Sequence, residues 1–120
     1  MNIYVCHANS FDFKTELYEP LRASELNRSH TITLPHEKSG EPFHSKEYLG
    51  HCDLVIAEVS YPSTGQGIEL GWADGYGVPI ICVYKQGAKP SGSLKVVSNI
   101  FLEYSDAPDM IAQLVSNLRG

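Results

Sequence analysis

The stretch DLVIAEVSYPSTGQGIELGWADGYGVPIICVY, Asp53 to Tyr84, decides the fold. It opens with a continuous apolar run at residues 54–57, which is typical of a strand buried on both faces. Turn formers at residues 61–65 break the strand, and a helical pattern then runs to Gly77. A second buried run at residues 78–84 completes a strand–helix–strand unit. Such a unit predicts two parallel strands joined by a right-handed connection.

The rest of the chain repeats this alternation of short apolar strands and helices. Pro20 lies inside the first helical pattern, which it must kink or restart because it has no N–H to donate. The other predicted strands are residues 2–6, 30–34 and 100–104, and the other helices begin near residues 12, 45, 93 and 106. We therefore predict a single α/β domain over residues 1–120, a small doubly wound, flavodoxin-like fold. Its five parallel strands have the order 2-1-3-4-5, with helices on both faces.

Composition excludes several classes of function. The 120 residues carry a net charge of −5, with 42% hydrophobic and 19% charged residues, so the chain has no electrostatic footprint for a nucleic acid polymer. No apolar run reaches the length of a membrane span and no secretory pattern opens the chain, so we expect a cytoplasmic protein. The three cysteines fit no zinc spacing and are expected to be buried, reduced thiols. Neither a metal nor a cofactor is predicted.

The predicted strand order places a candidate site where the order reverses, between strands one and three. The loops at residues 7–10 and 61–67 meet there. No Lys or Arg occurs between Glu47 and Tyr84, so an anion would be held by hydroxyls, backbone N–H groups and a helix N-terminus.

Ser63, Thr64, Gly65 and Gly67 suit such an anion site, since hydroxyls donate and glycine lets the backbone approach a ligand. The plainer interpretation is a loop that needs glycine to turn into the helix. Spacing alone favours that interpretation, because short glycine-rich turns before helices are common.

Glu69 is predicted within the first turn or so of the helix, where the helix end favours an ionised carboxylate. Facing a sugar, such a carboxylate acts as a nucleophile in retaining glycoside chemistry. The alternative is simple stabilisation of the helix N-terminus, which spacing alone favours. Tyr4 leads toward the same cleft and could position Glu69 or pack. Glu58 could bind a hydroxyl or cap the loop, and both interpretations stay open.

The stretch from Asp53 to Tyr84 resembles the signature of the nucleoside 2-deoxyribosyltransferase superfamily. The likeness lies in Asp plus an apolar strand, Ala-Glu-Val-Ser, Pro-Ser, Gly-x-Gly-x-Glu-Leu-Gly-x-Ala, Gly-x-Pro and a buried strand. The first strand with its polar elbow, residues 3–10, is similar too. Within the superfamily, the pattern is closest to the 2'-deoxynucleoside 5'-monophosphate N-hydrolases, because Ser63 stands where the transferases that act on free nucleosides tend to carry Asp.

The resemblance implies a role for each candidate. Glu69 would attack the anomeric carbon as the base departs, and Tyr4 would hydrogen-bond near this nucleophile. Ser63 would contact the phosphate of a small-molecule nucleotide or nucleoside. The remaining implied substrate-binding residues are His7, Ala8 and Asn9 in the first loop, Gly65 and Gly67 before Glu69, and Ser91 and Ser93. The last two would come from the partner loop of a homodimer.

Two departures leave alternatives open. The family carries an Asp that assists departure of the base, and the same register here falls on Ser45, so another group, such as Glu47, Glu41 or His44, would have to protonate the base. The hydrolases also have an Arg in the first loop, where this chain offers nothing cationic before Lys14. A base-exchanging deoxyribosyltransferase and a non-catalytic nucleotide-binding module therefore remain alternatives to the hydrolase.

Overall fold

A computed structural model describes residues 1–39 and 44–119. Its five strands form one sheet in the order β2-β1-β3-β4-β5, and every neighbouring pair is parallel. The predicted α/β class, strand order and parallel pairing are confirmed. The reversal of order lies between β1 and β3, where Tyr4 pairs with Val55 and His7 with Glu58.

The elements alternate along the chain as the sequence predicts, and the strand bounds lie within two residues of the predicted ones. The strands are β1 (Asn2–His7), β2 (Thr31–Thr33), β3 (Leu54–Glu58), β4 (Ile80–Lys85) and β5 (Phe101–Tyr104). The α-helices are α1 (Glu19–Ala23), α2 (Glu25–Ser29), α3 (Ser45–Leu49), α4 (Thr64–Gly75) and α5 (Ala107–Leu118). A π-helical turn, Lys14–Tyr18, precedes α1, and a 3-10 helix, Gly92–Val96, precedes β5.

The sheet buries apolar side chains on both faces, because successive residues of a strand point to opposite sides. One face packs with α1, α2 and α5, and the other with α3 and α4. The larger cluster includes Ile3, Val5, Leu21, Ile32, Ile56, Ile81, Val83, Met110 and Leu114. The second includes Tyr4, Cys6, Leu49, Val55, Ala57, Leu70, Ala73 and Cys82. All three cysteines are buried and free, as predicted.

Both ends of α4 follow from local chemistry. Ser63 is the N-cap residue, and its side-chain oxygen accepts a hydrogen bond from the Gln66 N–H at 3.3 Å. At the other end, Gly77 adopts a φ of 76°, and its N–H bonds to the Asp74 carbonyl while the N–H of Val78 bonds to that of Ala73. This pair of bonds is a Schellman motif, which requires a residue with positive φ and so favours glycine. The predicted stop at Gly77 is confirmed.

The first helical region differs from the prediction in the cause of its break. Pro20 lies in the first turn of α1, directly after the π-helical turn, and the helix runs through it. A wide turn suits this position because Pro20 has no N–H for the ordinary helical bond. The helix breaks instead at Ser24, whose backbone is extended and whose hydroxyl donates to the Leu21 carbonyl at 2.7 Å. A side chain that bonds to the preceding turn competes with helix continuation.

Candidate active site

Glu69 points from α4 toward the end of β1, where two side chains donate to its carboxylate. The Tyr4 hydroxyl donates to Oε2 at 2.5 Å, and the Cys6 thiol donates to Oε1 at 3.5 Å. Tyr4 and Cys6 stand two residues apart on one strand and therefore face the same side of the sheet. Each carboxylate oxygen thus has a donor supplied by the rigid centre of the sheet.

Both donors keep their protons. Burial, followed by the hydrogen bond to Glu69 and its charge, raises the pKa of Tyr4 far above the usual value, while a hydrogen bond with Ser45 works in the opposite direction. Burial and the Glu69 charge likewise raise the pKa of the Cys6 thiol.

Glu69 lies deeper in its helix than predicted. It is the sixth residue of α4, in the second turn rather than the first. The field of a helix end falls off within one turn, so the helix end favours the ionised form of this carboxylate less than a first-turn position would. Tyr4 and Cys6 provide its support instead.

A cleft of about 330 Å³ opens in front of this carboxylate. It follows the carboxyl edge of the sheet from the start of α4 to the loop after β2. Its lining combines one acid, several neutral hydrogen-bonding groups and two imidazoles with an apolar wall: Tyr4, His7, Asn9, His36, Ser45, Ser63, Gly65, Gln66, Ile68, Glu69 and Trp72. No lysine or arginine among the described residues lines it.

The start of α4 offers donors to an anion in this cleft. The Ser63 oxygen already accepts from Gln66, so its hydroxyl hydrogen is left to donate to a ligand. The N–H groups of Thr64 and Gly65 belong to the first turn, which has no intrahelical acceptor for them. A Cβ added at Gly65 would meet nothing within 4 Å, and its φ is not positive. Gly65 is thus needed neither for a turn nor for internal packing, which removes the plainer interpretation.

Three further predicted site residues lie in a neighbouring cavity. Gly67, Ser91 and Ser93 line a hollow of about 340 Å³, which shares Ser63 and Gln66 with the cleft. Ser91 caps the 3-10 helix by accepting from the Ser93 N–H at 3.3 Å, and both serines are exposed. Within one chain, these residues are not brought to Glu69.

The first loop contributes in three different ways. Asn9 is exposed and lines the cleft. The Ala8 side chain is buried, and its carbonyl accepts from His7 Nδ1 at 2.8 Å. His7 also lines the cleft, but its Nε2 lies 2.6 Å from the Tyr18 hydroxyl, so both ring nitrogens are engaged.

Strand parity decides which face of the sheet the Glu58 side chain points to. It is 1% exposed, and its carboxylate accepts from the Ser60 N–H at 2.7 Å and from the hydroxyls of Ser60 and Tyr104. It therefore points to the α5 face of the sheet, away from Glu69. Of the two interpretations, the cap of the loop is the one that the structure supports.

Two polar contributors to the cleft were missed by sequence reasoning. Gln66 is 4% exposed, and its Nε2 donates to the carbonyls of Cys6 and Glu58 at 3.3 and 2.7 Å, which ties α4 to β1 and β3. His36 reaches the cleft from the loop after β2. The sequence does offer a signal for Gln66, because it places a side-chain amide in the first turn of α4. No periodic pattern in the sequence points to His36.

The side chains suggested as a replacement for the family acid do not line this cleft. His44 and Glu47 lie on an adjacent hollow beside Trp72. Glu41 lies outside the described residues. Ser45 does line the cleft, and it is 3% exposed.

Comparison by sequence points to one kind of enzyme. A protein of Syntrophotalea carbinolica, provisionally named 2'-deoxynucleoside 5'-phosphate N-hydrolase 1, is 38% identical over 52 residues, which are 43% of this chain and 37% of that relative. The 5-hydroxymethyl-dUMP N-hydrolase of Rattus norvegicus is 47% identical over 38 residues, covering 32% of this chain and 23% of that protein. The resemblance to the nucleoside 2-deoxyribosyltransferase superfamily is confirmed. No protein-family model matches the chain.

Solved structures agree over the whole fold. The CMP N-glycosidase BcmB of Clostridium botulinum superposes with a TM-score of 0.68 at 21% identity, covering 95% of this chain and 98% of that one. A conserved protein from Enterococcus faecalis V583 gives a TM-score of 0.65 at 16% identity, with 98% of each chain covered. At these identities the likeness establishes the fold. The sequence matches span only 37% and 23% of the two curated relatives.

The described residues hold no group of three or more His, Cys, Asp or Glu side chains placed to bind a metal ion. Within the same ranges, no helix combines the length and the apolar character needed to cross a membrane.

The buried His7 predicts a pH-dependent stability. Burial lowers the pKa of His7 below 6.5, and nearby His36 lowers it further. The unfolded chain therefore takes up this proton first, so the free energy of unfolding falls as the pH drops below about 6.5 and levels off below the folded pKa. Urea unfolding between about pH 7.5 and pH 5 measures it. This contribution should disappear in His7→Gln and persist in His51→Gln, which alters an exposed histidine; an unchanged slope in His7→Gln would contradict it.

Proposed function

We propose that this protein is an N-glycosidase that cleaves the base–sugar bond of a (deoxy)nucleoside 5'-monophosphate through Glu69. The observation that carries the proposal is a carboxylate held by Tyr4 and Cys6 at the floor of a cleft whose far end presents the Ser63 hydroxyl. The sequence relatives, which are named as hydrolases of such nucleotides, support the same reaction.

The proposed reaction has two steps. Glu69 attacks the anomeric carbon as the bond to the base breaks, which leaves a covalent glycosyl-enzyme. Water then attacks the same carbon and releases the sugar phosphate with its configuration retained. Tyr4 and Cys6 hold the two carboxylate oxygens in place during both steps, and neither donor becomes charged.

The substrate phosphate is assigned to the start of α4. Ser63 supplies a hydroxyl donor, and Thr64 and Gly65 supply backbone N–H groups at the positive end of a 12-residue helix. A monophosphate suits these neutral donors, whereas a carboxylate at position 63 would repel it. This choice favours the hydrolase over a base-exchanging deoxyribosyltransferase.

A non-catalytic nucleotide-binding module is the second candidate, and Ser45 is the observation that favours it. A serine hydroxyl cannot protonate a departing base at neutral pH. A panel of 5'-monophosphates decides between the two, since a module would be stabilised against thermal unfolding by a nucleotide without releasing any base.

Replacing Glu69 by Gln should abolish base release. The amide keeps the size of the side chain but cannot attack carbon, so turnover should fall by about 10³-fold or more. Tyr4→Phe removes one hydrogen bond to a charged group and should cost about 10- to 100-fold. Base release is measured by chromatography, with Glu103→Gln, an exposed carboxylate on β5, as the matched control. Full activity in Glu69→Gln would remove the mechanism.

Replacing Ser63 by Asp should weaken the binding of substrates that carry a phosphate, while α4 still forms. Asp caps helices as well as Ser, so α4 should form as before. A carboxylate facing the substrate phosphate should raise KM for a 5'-monophosphate by about tenfold or more and leave any activity on the matching free nucleoside unchanged. Ser63→Thr, which keeps both cap and hydroxyl, is the control. Equal KM values in Ser63→Asp and the wild type would place the phosphate elsewhere.

We also propose a homodimer in which Ser91 and Ser93 of one chain close the other chain's cleft. Ile68 of α4 and Tyr76 at its C-cap are 50% and 48% exposed, and they lie beside a row of glycines at positions 67, 71 and 75. Val96 of the adjoining 3-10 helix is 82% exposed. A second copy packed on α4 would bury these side chains.

Sedimentation velocity at about 50 µM should then give twice the mass of the 13.3 kDa chain. A Cβ at Gly71 meets nothing within 4 Å inside one chain, so Gly71→Gln should fold and yet dissociate the dimer. Ala112→Gln, exposed on α5 at the opposite face, should not. A monomeric wild type would refute the dimer.

A further inference from the structure

His36 is the cleft residue whose chemistry remains unassigned. It follows β2, is half-buried, and lines the same cleft as Glu69. The proposed reaction needs a group that protonates the departing base, and the register of the family acid is occupied by Ser45. The titratable side chains that line the cleft are Tyr4, His7, His36 and Glu69.

Three of these four side chains cannot serve as the proton donor. Glu69 is the nucleophile, and Tyr4 keeps its proton as a donor to Glu69. His7 is held neutral, because the Ala8 carbonyl can only accept and therefore places the proton on Nδ1. Its Nε2 must then accept from the Tyr18 hydroxyl. A group with both nitrogens engaged in this way cannot deliver a proton to a substrate.

The same hydrogen bonds position His36. The Tyr18 oxygen, while its hydrogen goes to His7, accepts from the backbone N–H of His36 at 3.1 Å. The two imidazoles stand edge to face with centroids 5.7 Å apart, and Phe13 packs beside both.

We propose that His36 is the general acid that protonates the leaving base, in place of the carboxylate absent at Ser45. This inference rests on the proposed N-glycosidase function. As the bond between the anomeric carbon and the base nitrogen breaks, its electron pair goes to the base, the His36 imidazolium gives the base a proton, and a Glu69 oxygen bonds to the carbon. Water then attacks that carbon, the neutral imidazole takes a proton from the water, and Glu69 leaves as a carboxylate. The sum is nucleotide plus water giving base plus sugar phosphate.

The test compares two leaving groups in His36→Gln. One substrate is the preferred 5'-monophosphate from the panel, whose base needs a proton to depart. The other is 4-nitrophenyl 2-deoxyriboside 5-phosphate, whose nitrophenolate departs without one. Single turnovers with enzyme in excess isolate the first step from the attack of water. His36→Gln should slow release of the base by about 10²-fold or more and release of nitrophenolate by no more than about 3-fold.

A structural role for His36 would slow both substrates equally, and that result, or no effect on either, would overturn the inference. His44→Gln changes an exposed histidine on the adjacent hollow and should leave both rates as in the wild type. If His36→Gln behaves like the wild type while Glu69→Gln is inactive, only the role of His36 fails. If the wild type releases base from no nucleotide, the proposed function fails and this role fails with it.

Discussion

The hydrogen bond from Tyr4 to Glu69 is the interaction on which the site depends. It joins β1, an interior strand of the sheet, to α4 and fixes the carboxylate at the point where the strand order reverses. The tyrosine is fully buried and the glutamate only partly so. The hydrogen-bond donor therefore belongs to the core, and the carboxylate, which is the proposed nucleophile, faces the cleft. A functional side chain held from the sheet in this way is pre-organised, because its support does not move when solvent leaves the cleft.

The backbone around this pair is tied together by a single amide. Gln66 donates to the carbonyls at the ends of β1 and β3, while its own N–H bonds to Ser63. These three bonds set the start of α4 against both strands, so the donors at Ser63 and the carboxylate at Glu69 keep a fixed separation. The phosphate and the anomeric carbon of one nucleotide would need such a separation.

The fold was predictable from sequence because its signals are local and agree with one another. Apolar runs, turn formers and Gly77 each specify an element, and the analogy with small doubly wound folds orders the strands. At the site, Tyr4, Ser63, Gly65 and Glu69 were named from the family resemblance, whereas spacing alone favoured a plain turn and a stabilised helix start. The depth of Glu69 was misjudged because the start of α4 was expected near Gln66 and the supporting donors on β1 come from far away in sequence.

What escaped prediction depends on tertiary contacts. His36 reaches the cleft only because the Tyr18 hydroxyl, 18 residues earlier, fixes its backbone. The direction of Glu58 follows from strand parity at one position, which an apolar run does not reveal. Ser91 and Ser93 line a neighbouring cavity of the same chain, and only the proposed homodimer would bring them to a Glu69 carboxylate.

The central claim, a covalent sugar on Glu69, is tested most directly by intact-mass spectrometry. A 2'-fluorinated 5'-monophosphate slows the breakdown of a glycosyl-enzyme, because fluorine destabilises the oxocarbenium-like transition state. The account predicts a protein mass increased by one fluorinated sugar phosphate, with peptide mapping placing the addition on Glu69. Formation of the sugar phosphate with inverted anomeric configuration and no adduct, or an adduct on another residue, would contradict it.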